Sequence, residues 1–287
     1  MLKNKTLWVC MLSLIIIFAA CSESTVQEVD ENETDDDSTP PSVDDLDPDD
    51  SMTPYIEDGE ALLKGTDTVS LNDDTGNELS CMSCHTDGGL SNNLSFVGVT
   101  GQYPKYDSRK GAVITLEERI NESITRTLNG EKLEYDGEEM RSIIAYLTYI
   151  SNDIEVGADI QKDNVEEMSI EEIPEPDITN GEKLYEEKMA DSNLTLWGDQ
   201  SFTDGSMMSR MSVMTNYIKN NFPEDDQGSL SDQEAADVAA FILSKERPEW
   251  KDHELDWPDE DRPGDIITKE EREEIQEGTF DWSQIND

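Results

Sequence analysis

Residues 81–85 read Cys-Met-Ser-Cys-His. Two thiols two residues apart can each add to one vinyl group of a single haem, and the imidazole that follows the second thiol then meets the iron. The pentapeptide therefore nominates Cys81 and Cys84 as the attachment points of one covalent haem c, and His85 as an axial iron ligand. Competing chemistry is poorly served. Zinc needs two further ligands at suitable spacing, and no second cysteine pair exists. A thioredoxin-like redox pair needs alternating strands and helices, and the sequence pattern does not supply them.

The far side of the iron is less sharply specified. Many proteins of this chemistry use a methionine shortly before the last helix, but that region holds Leu128 and Leu133. Met140 is the nearest methionine, and its spacing with Ile143, Ile144 and Leu147 suits packing better than ligation. Met82 lies inside the attachment loop, and His253, the second of two histidines, falls in the tail, where solvation is expected.

Helices are the elements available to position this site. Pro54 opens an apolar-patterned segment with Ile56, Ala61, Leu62 and Leu63. Over residues 115–128, Leu116, Ile120, Ile124 and Leu128 recur every four residues, and Asn129-Gly130 marks the stop. Residues 137–150 place Met140, Ile143, Leu147 and Ile150 on one face, and Ser231 with Glu234 announces a helix over 231–244. Gly181-Glu182-Lys183-Leu184-Tyr185 echoes Gly59-Glu60-Ala61-Leu62-Leu63, and Ala239-Ala240-Phe241-Ile242 echoes Ile144-Ala145-Tyr146-Leu147. This is the mark of a degenerate internal repeat. No segment shows sustained strand alternation. The expected fold is all-α: a cytochrome c-like haem domain followed by a degenerate, haem-free cytochrome c-like domain.

The rest of the chain organises around those units. Lys3 and Lys5 precede a short apolar run at residues 7–20, which suits an export signal (residues 1–20) and is short for a membrane span. Phe18-Ala19-Ala20-Cys21 resembles a bacterial lipoprotein processing site, with Cys21 as the lipidated residue. Residues 21–52 are acidic and proline-containing and read as a disordered tether. The haem domain is expected over 53–152, a linker over 153–178, the haem-free domain over 179–249, and an acidic, aromatic tail over 250–287. Trp250, Trp257, Phe280 and Trp282 are candidates to pin that tail to the body. Localisation follows as periplasm or cell surface, held to a bacterial membrane by lipid alone, with a soluble body. A net charge of −47 argues against nucleic acid as a partner and favours a basic redox protein, or simply solubility.

Between about residues 55 and 248 the chain resembles the thiosulfate dehydrogenase type of two-domain cytochrome c. The first unit shows it in Cys81-Met82-Ser83-Cys84-His85, in Tyr106-Asp107-Ser108-Arg109-Lys110-Gly111, in Glu117-Glu118-Arg119-Ile120-Asn121 and in Arg126-Thr127-Leu128-Asn129-Gly130. The second shows it in Leu196-Trp197-Gly198, Ser201-Phe202, Gly205, Met208, Arg210, the run from Glu234 to Ile242, and Arg247-Pro248. The resemblance implies two haems and a cysteine as distal ligand of the first. Here Ser123 stands at that cysteine's place, so Ser123 and Met140 are the distal-side candidates. Residues 183–195 carry no cysteine or histidine, so the second haem is expected to be lost, and Met207 and Met208 to serve packing. The family's arginines beside the first haem match Arg109 and Arg119, a candidate clamp for a small anion. The alternative is that these arginines neutralise haem propionates or pair with Glu117, Glu118 and Glu122.

Three functions follow as expectations. An exported monohaem electron carrier is favoured over an enzyme. The enzyme alternative is a sulfur-oxyanion oxidoreductase of the thiosulfate dehydrogenase kind. The third is a haem sensor that binds a small ligand at an open iron site.

Overall fold

The computed structural model describes residues 40–65, 76–91, 94–151, 170 and 172–286. The export signal, Cys21, most of the tether and most of the linker expected from the sequence lie outside the described residues.

Among the described residues, seven α-helices and one small ribbon make up the framework. The first half holds α1 (Thr53–Lys64), the antiparallel strands β1 (Lys105–Asp107) and β2 (Ala112–Ile114), α2 (Leu116–Arg126) and α3 (Glu138–Tyr149). The second half holds α4 (Ile178–Lys188), α5 (Met211–Asn221) and α6 (Asp232–Leu243), and α7 (Lys269–Glu277) follows in the C-terminal segment. The fold is helical as the sequence implies, apart from the ribbon. Each strand has three residues, too few to reveal alternation in sequence.

Local chemistry sets the helix ends. Pro54 sits in the first turn of α1, and Gly65 closes the helix at φ 65°, returning its N–H to Ala61 and Leu62. Thr115 and Glu118 form a reciprocal box at the start of α2, and Ser231 and Glu234 do the same for α6. The Asn129 backbone turns left-handed at φ 51°, and Gly130 N–H bonds the Ile124 carbonyl, so α2 stops at the turn read from the sequence.

The repeat has a physical core. Helix α1 packs on α3, and α4 packs on α6. In the first pair a Cβ on Gly59 would lie 2.0 Å from the Ser142 carbonyl oxygen and 2.8 Å from Tyr146 Cβ. In the second a Cβ on Gly181 would lie 2.0 Å from the Asp237 carbonyl oxygen and 3.1 Å from Phe241 Cβ. Both crossings bring backbone against backbone at a residue that has no side chain, so the echoed glycines are contact points of one repeated packing geometry.

The C-terminal segment is built into the body, where the sequence suggested a tail pinned only by aromatic residues. Ile266, Ile267, Ile275, Phe280 and Ile285 are buried. The Asp265 carboxylate accepts from Ser212 N–H at 3.1 Å and from Arg210 Nε at 2.9 Å. It thereby caps α5, which has no side-chain cap of its own. Asp256 is buried and takes both Arg126 Nη1 and Nη2 at 2.7 Å, a bidentate pair between α2 and the C-terminal segment. His253 is half-buried, with Nε2 2.9 Å from Asp204 Oδ1, in place of the solvation expected of it.

Candidate functional site

The pentapeptide at residues 81–85 folds into one tight turn. Ser83 Oγ accepts from Ser80 N–H at 3.0 Å, and the N–H groups of Cys84 and His85 both return to the Cys81 carbonyl. The turn brings both thiols and the imidazole to the wall of one cavity of about 310 Å³. Burial pushes the Cys81 thiol up to about 11 and the Cys84 thiol up to about 12. Such surroundings suit an uncharged sulfur, as in a thioether, and oppose the thiolate that a metal ion would need. Among the described residues no group of three or more His, Cys, Asp or Glu is arranged for a metal ion.

The surroundings of His85 favour a neutral imidazole. Its Nδ1 lies 2.6 Å from the Leu94 carbonyl oxygen. Donation of Nδ1–H to that carbonyl leaves the Nε2 lone pair for iron, the usual arrangement behind a ligating histidine. Burial is the main reason its pKa falls to about 4; the Leu94 carbonyl opposes the shift and nearby Arg119 adds to it. Leu94 holds φ 54°, a left-handed backbone unusual for a bulky residue, and this strain sits at the carbonyl that orients the imidazole. Phe96 stacks on the ring at 4.0 Å between centroids.

The remaining wall comes from both halves of the chain. Apolar faces of α1, α2 and α3 contribute Leu63, Ile124, Ile143 and Leu147. The loop after residue 94 and strand β1 bring Gln102, Tyr103 and Lys105. The second half adds Ser206, Met207, Met208 and Val213. An apolar chamber with two thiols at one edge and a cavity-facing imidazole fits the haem that the pentapeptide implies. When bound, that haem supplies one-electron redox chemistry; Cys81 and Cys84 would hold it and His85 would ligate its iron.

The other candidates divide. Ser123 lines the cavity. Met140 does not: it is buried beside a separate groove with Met52 and Tyr135, so it is not a distal-side residue. Arg119 lines the cavity and pairs with Glu122 at 3.6 Å. Arg109 is turned away from it. Its Nη1 donates to the Gly205 carbonyl at 2.7 Å, its guanidinium lies 4.5 Å over Trp257, and Nε is 4.0 Å from Asp256. Burial, then repulsion from Arg126, pulls its pKa down to about 10. The two-arginine clamp is therefore not assembled, because Arg109 is spent joining the halves of the chain. The second cation at the cavity is Lys105, a residue the sequence reading passed over because it lies on a strand too short to show a pattern. Its pKa is lowered by burial and by Arg119.

The second half reaches the attachment turn directly. Tyr217 on α5 donates its hydroxyl to the Ser83 carbonyl at 3.0 Å. Met207 and Met208, expected as packing, both stand on the cavity wall, and Met208 also belongs to the buried core.

Known proteins resemble this chain in sequence and in fold. The family described as SoxA/TsdA, cytochrome c domain, matches residues 70–156. A thiosulfate dehydrogenase of Allochromatium vinosum is 36% identical over 216 residues, covering 66% of this chain and 79% of that protein. A thiosulfate dehydrogenase of Psychrobacter arcticus is 32% identical over 218 residues, covering 68% of this chain and 64% of that protein. The solved thiosulfate dehydrogenase (TsdBA) from Marichromatium purpuratum superposes with a TM-score of 0.66 at 26% identity, over 75% of this chain and half of that one. With its haem c domain, its helical fold and these relatives, the chain belongs to the thiosulfate dehydrogenase family of c-type cytochromes.

Proposed function

We propose that this chain is an exported, lipid-anchored electron carrier that bears a single covalent haem c on Cys81 and Cys84 with His85 as proximal ligand. One observation carries the reading: the same helix crossing occurs twice, but only the first encloses a cavity with attachment thiols. In the second half Met211, Met214, Ile218 and Phe222 fill the interior. A single haem accepts one electron at a time, whereas joining two thiosulfates into tetrathionate releases two. Without a second centre in the same chain, passing single electrons between partners is the chemistry this arrangement serves best.

Export and anchoring rest on Lys3, Lys5, the apolar run at residues 7–20 and Cys21. Among the described residues no helix is long and apolar enough to cross a membrane. The acidic surface suits a basic redox partner, with association that slows as salt screens the attraction.

A second reading is favoured by one specific feature. Lys105 and Arg119 stand together on the cavity wall, where a small sulfur oxyanion could be held. Oxidised protein mixed with thiosulfate separates the two. A carrier is not turned over by thiosulfate and is reduced by small reductants or a partner cytochrome. With an external one-electron acceptor such as ferricyanide present to reoxidise the haem, tetrathionate accumulating over many turnovers would replace the carrier reading with the enzyme.

A further inference from the structure

Ser123 stands on the cavity wall with only a hydroxyl to offer iron, and the rest of that wall offers a stronger ligand. Of the groups there that could bind iron, the cysteines are committed to attachment and His85 to the proximal side. The hydroxyls of Ser123 and Thr127 are weak ligands for haem iron. The Tyr103 phenol would have to lose its proton, which burial opposes. Lys105 Nζ lies 4.8 Å over the Tyr103 ring, so binding iron would require the amine to give up both its proton and that contact. The thioethers of Met207 and Met208 need no deprotonation, and methionine is an established partner of histidine on haem iron.

The two methionines are not equivalent. Met208 is buried at 6% exposure and belongs to the hydrophobic core. Met207 is half-buried and lies outside that core while lining the cavity. Its turn is fastened to the end of α2, the helix that carries Ser123. Ser206 Oγ accepts from Met208 N–H at 3.2 Å and is hydrogen-bonded to Thr127 Oγ1 at 2.8 Å. Thr203 donates both its N–H and its hydroxyl to the Arg126 carbonyl, at 3.1 and 2.7 Å. Ser209 Oγ in turn donates to the Thr203 carbonyl at 3.1 Å.

We propose that Met207, carried by the haem-free half of the chain, supplies the thioether that binds the iron as its sixth ligand. The inference rests on the covalent haem proposed above. It gives the second half a function: that half completes the coordination of a haem attached to the first. It also closes the open iron position that a small-ligand sensor would require.

Full-length protein matured in cells competent for covalent haem attachment tests this by absorption spectroscopy. The oxidised wild type is expected to be low-spin, with the weak far-red band of a thioether–iron bond. Met207→Ala should lose that band, become high-spin and bind carbon monoxide readily when reduced. Met207→His should return to low spin without the band, which shows that the fold survives substitution there. Met208→Leu should keep it. A wild type that is red but lacks the band overturns the Met207 assignment alone. So does a band that persists in Met207→Ala, or one lost only in Met208→Leu. A colourless wild type overturns the haem reading itself, and this inference with it.

Discussion

The two halves of this chain share a helix crossing and differ in what lies beneath it. In the first, Gly59 lets α1 meet α3 at Ser142, and the helices enclose a chamber that receives the thiols and imidazole of residues 81–85. In the second, Gly181 lets α4 meet α6 at Asp237 in the same way. There Tyr185, Trp197 and Phe241 cluster with ring centroids 4.8–5.9 Å apart, and α5 fills the interior with Met211, Met214 and Ile218. The same helix crossing thus frames a chamber in one half and a side-chain-filled interior in the other. The functional difference resides in a loop pentapeptide and a few cavity-facing residues, while the packing that positions them is common to both halves.

The largest expected effect comes from cutting the buried ion pair that joins α2 of the first half to the C-terminal segment. Asp256→Ala would leave Arg126 buried without its bidentate partner, and unfolding should become easier by about 3–5 kcal/mol. Denaturant titration followed by circular dichroism measures this. A change below about 1 kcal/mol, as for an exposed pair, would mean that the C-terminal segment does not secure the interface.

Next come the crossing glycines. Gly59→Ala and Gly181→Ala each force a methyl group to within 2.0 Å of a backbone carbonyl oxygen. Each should cost about 3 kcal/mol, because overpacking outweighs the gain of about 1 kcal/mol in helix propensity. Gly59→Ala should also lower haem incorporation, while Gly181→Ala leaves the haem bands of the folded fraction in place. Equal loss of haem in both variants would contradict the division of labour between the halves.

Two hydroxyls give finer tests. Tyr146 donates to the Gly88 carbonyl at 2.6 Å, where the second half has Phe241. Tyr146→Phe makes the halves more alike and should cost about 1–3 kcal/mol by leaving that carbonyl unpaired. Tyr217→Phe removes the bond to Ser83 and should cost about 1 kcal/mol, with a measurable shift in haem potential. No shift in potential would show that α5 supports the attachment turn without influencing the haem.

What could be read from sequence divides along the same physical line. The attachment turn is local: five consecutive residues contain its chemistry. Helices α2, α3 and α6 were legible because their apolar spacing and capping pairs are local too. The repeat was legible because Gly59 and Gly181 each sit in a similar pentapeptide. Helix α5 was missed, since its N-terminus is capped by Asp265 from far along the chain. Helix α7 was missed because the buried Ile275 is the single apolar residue between Lys269 and Glu277, too few to show a period, although Thr268 and Glu271 form a capping pair that could have announced it. The partition of the arginines was beyond sequence patterns. Arg109 is drawn to Gly205 and Asp256, about a hundred residues or more away in sequence, and no periodicity encodes such a contact. The approach of Met207 to the haem chamber depends on the same long-range packing.

How many haems the chain carries, and how they are held, separates a one-haem carrier from a two-haem protein. Protein purified from cells competent in cytochrome maturation, digested and weighed by mass spectrometry after acid–organic extraction, addresses this most directly. One haem per chain is expected, retained through extraction and confined to the peptide spanning residues 81–85. A colourless protein, haem that extracts freely, or a second haem per chain would contradict it.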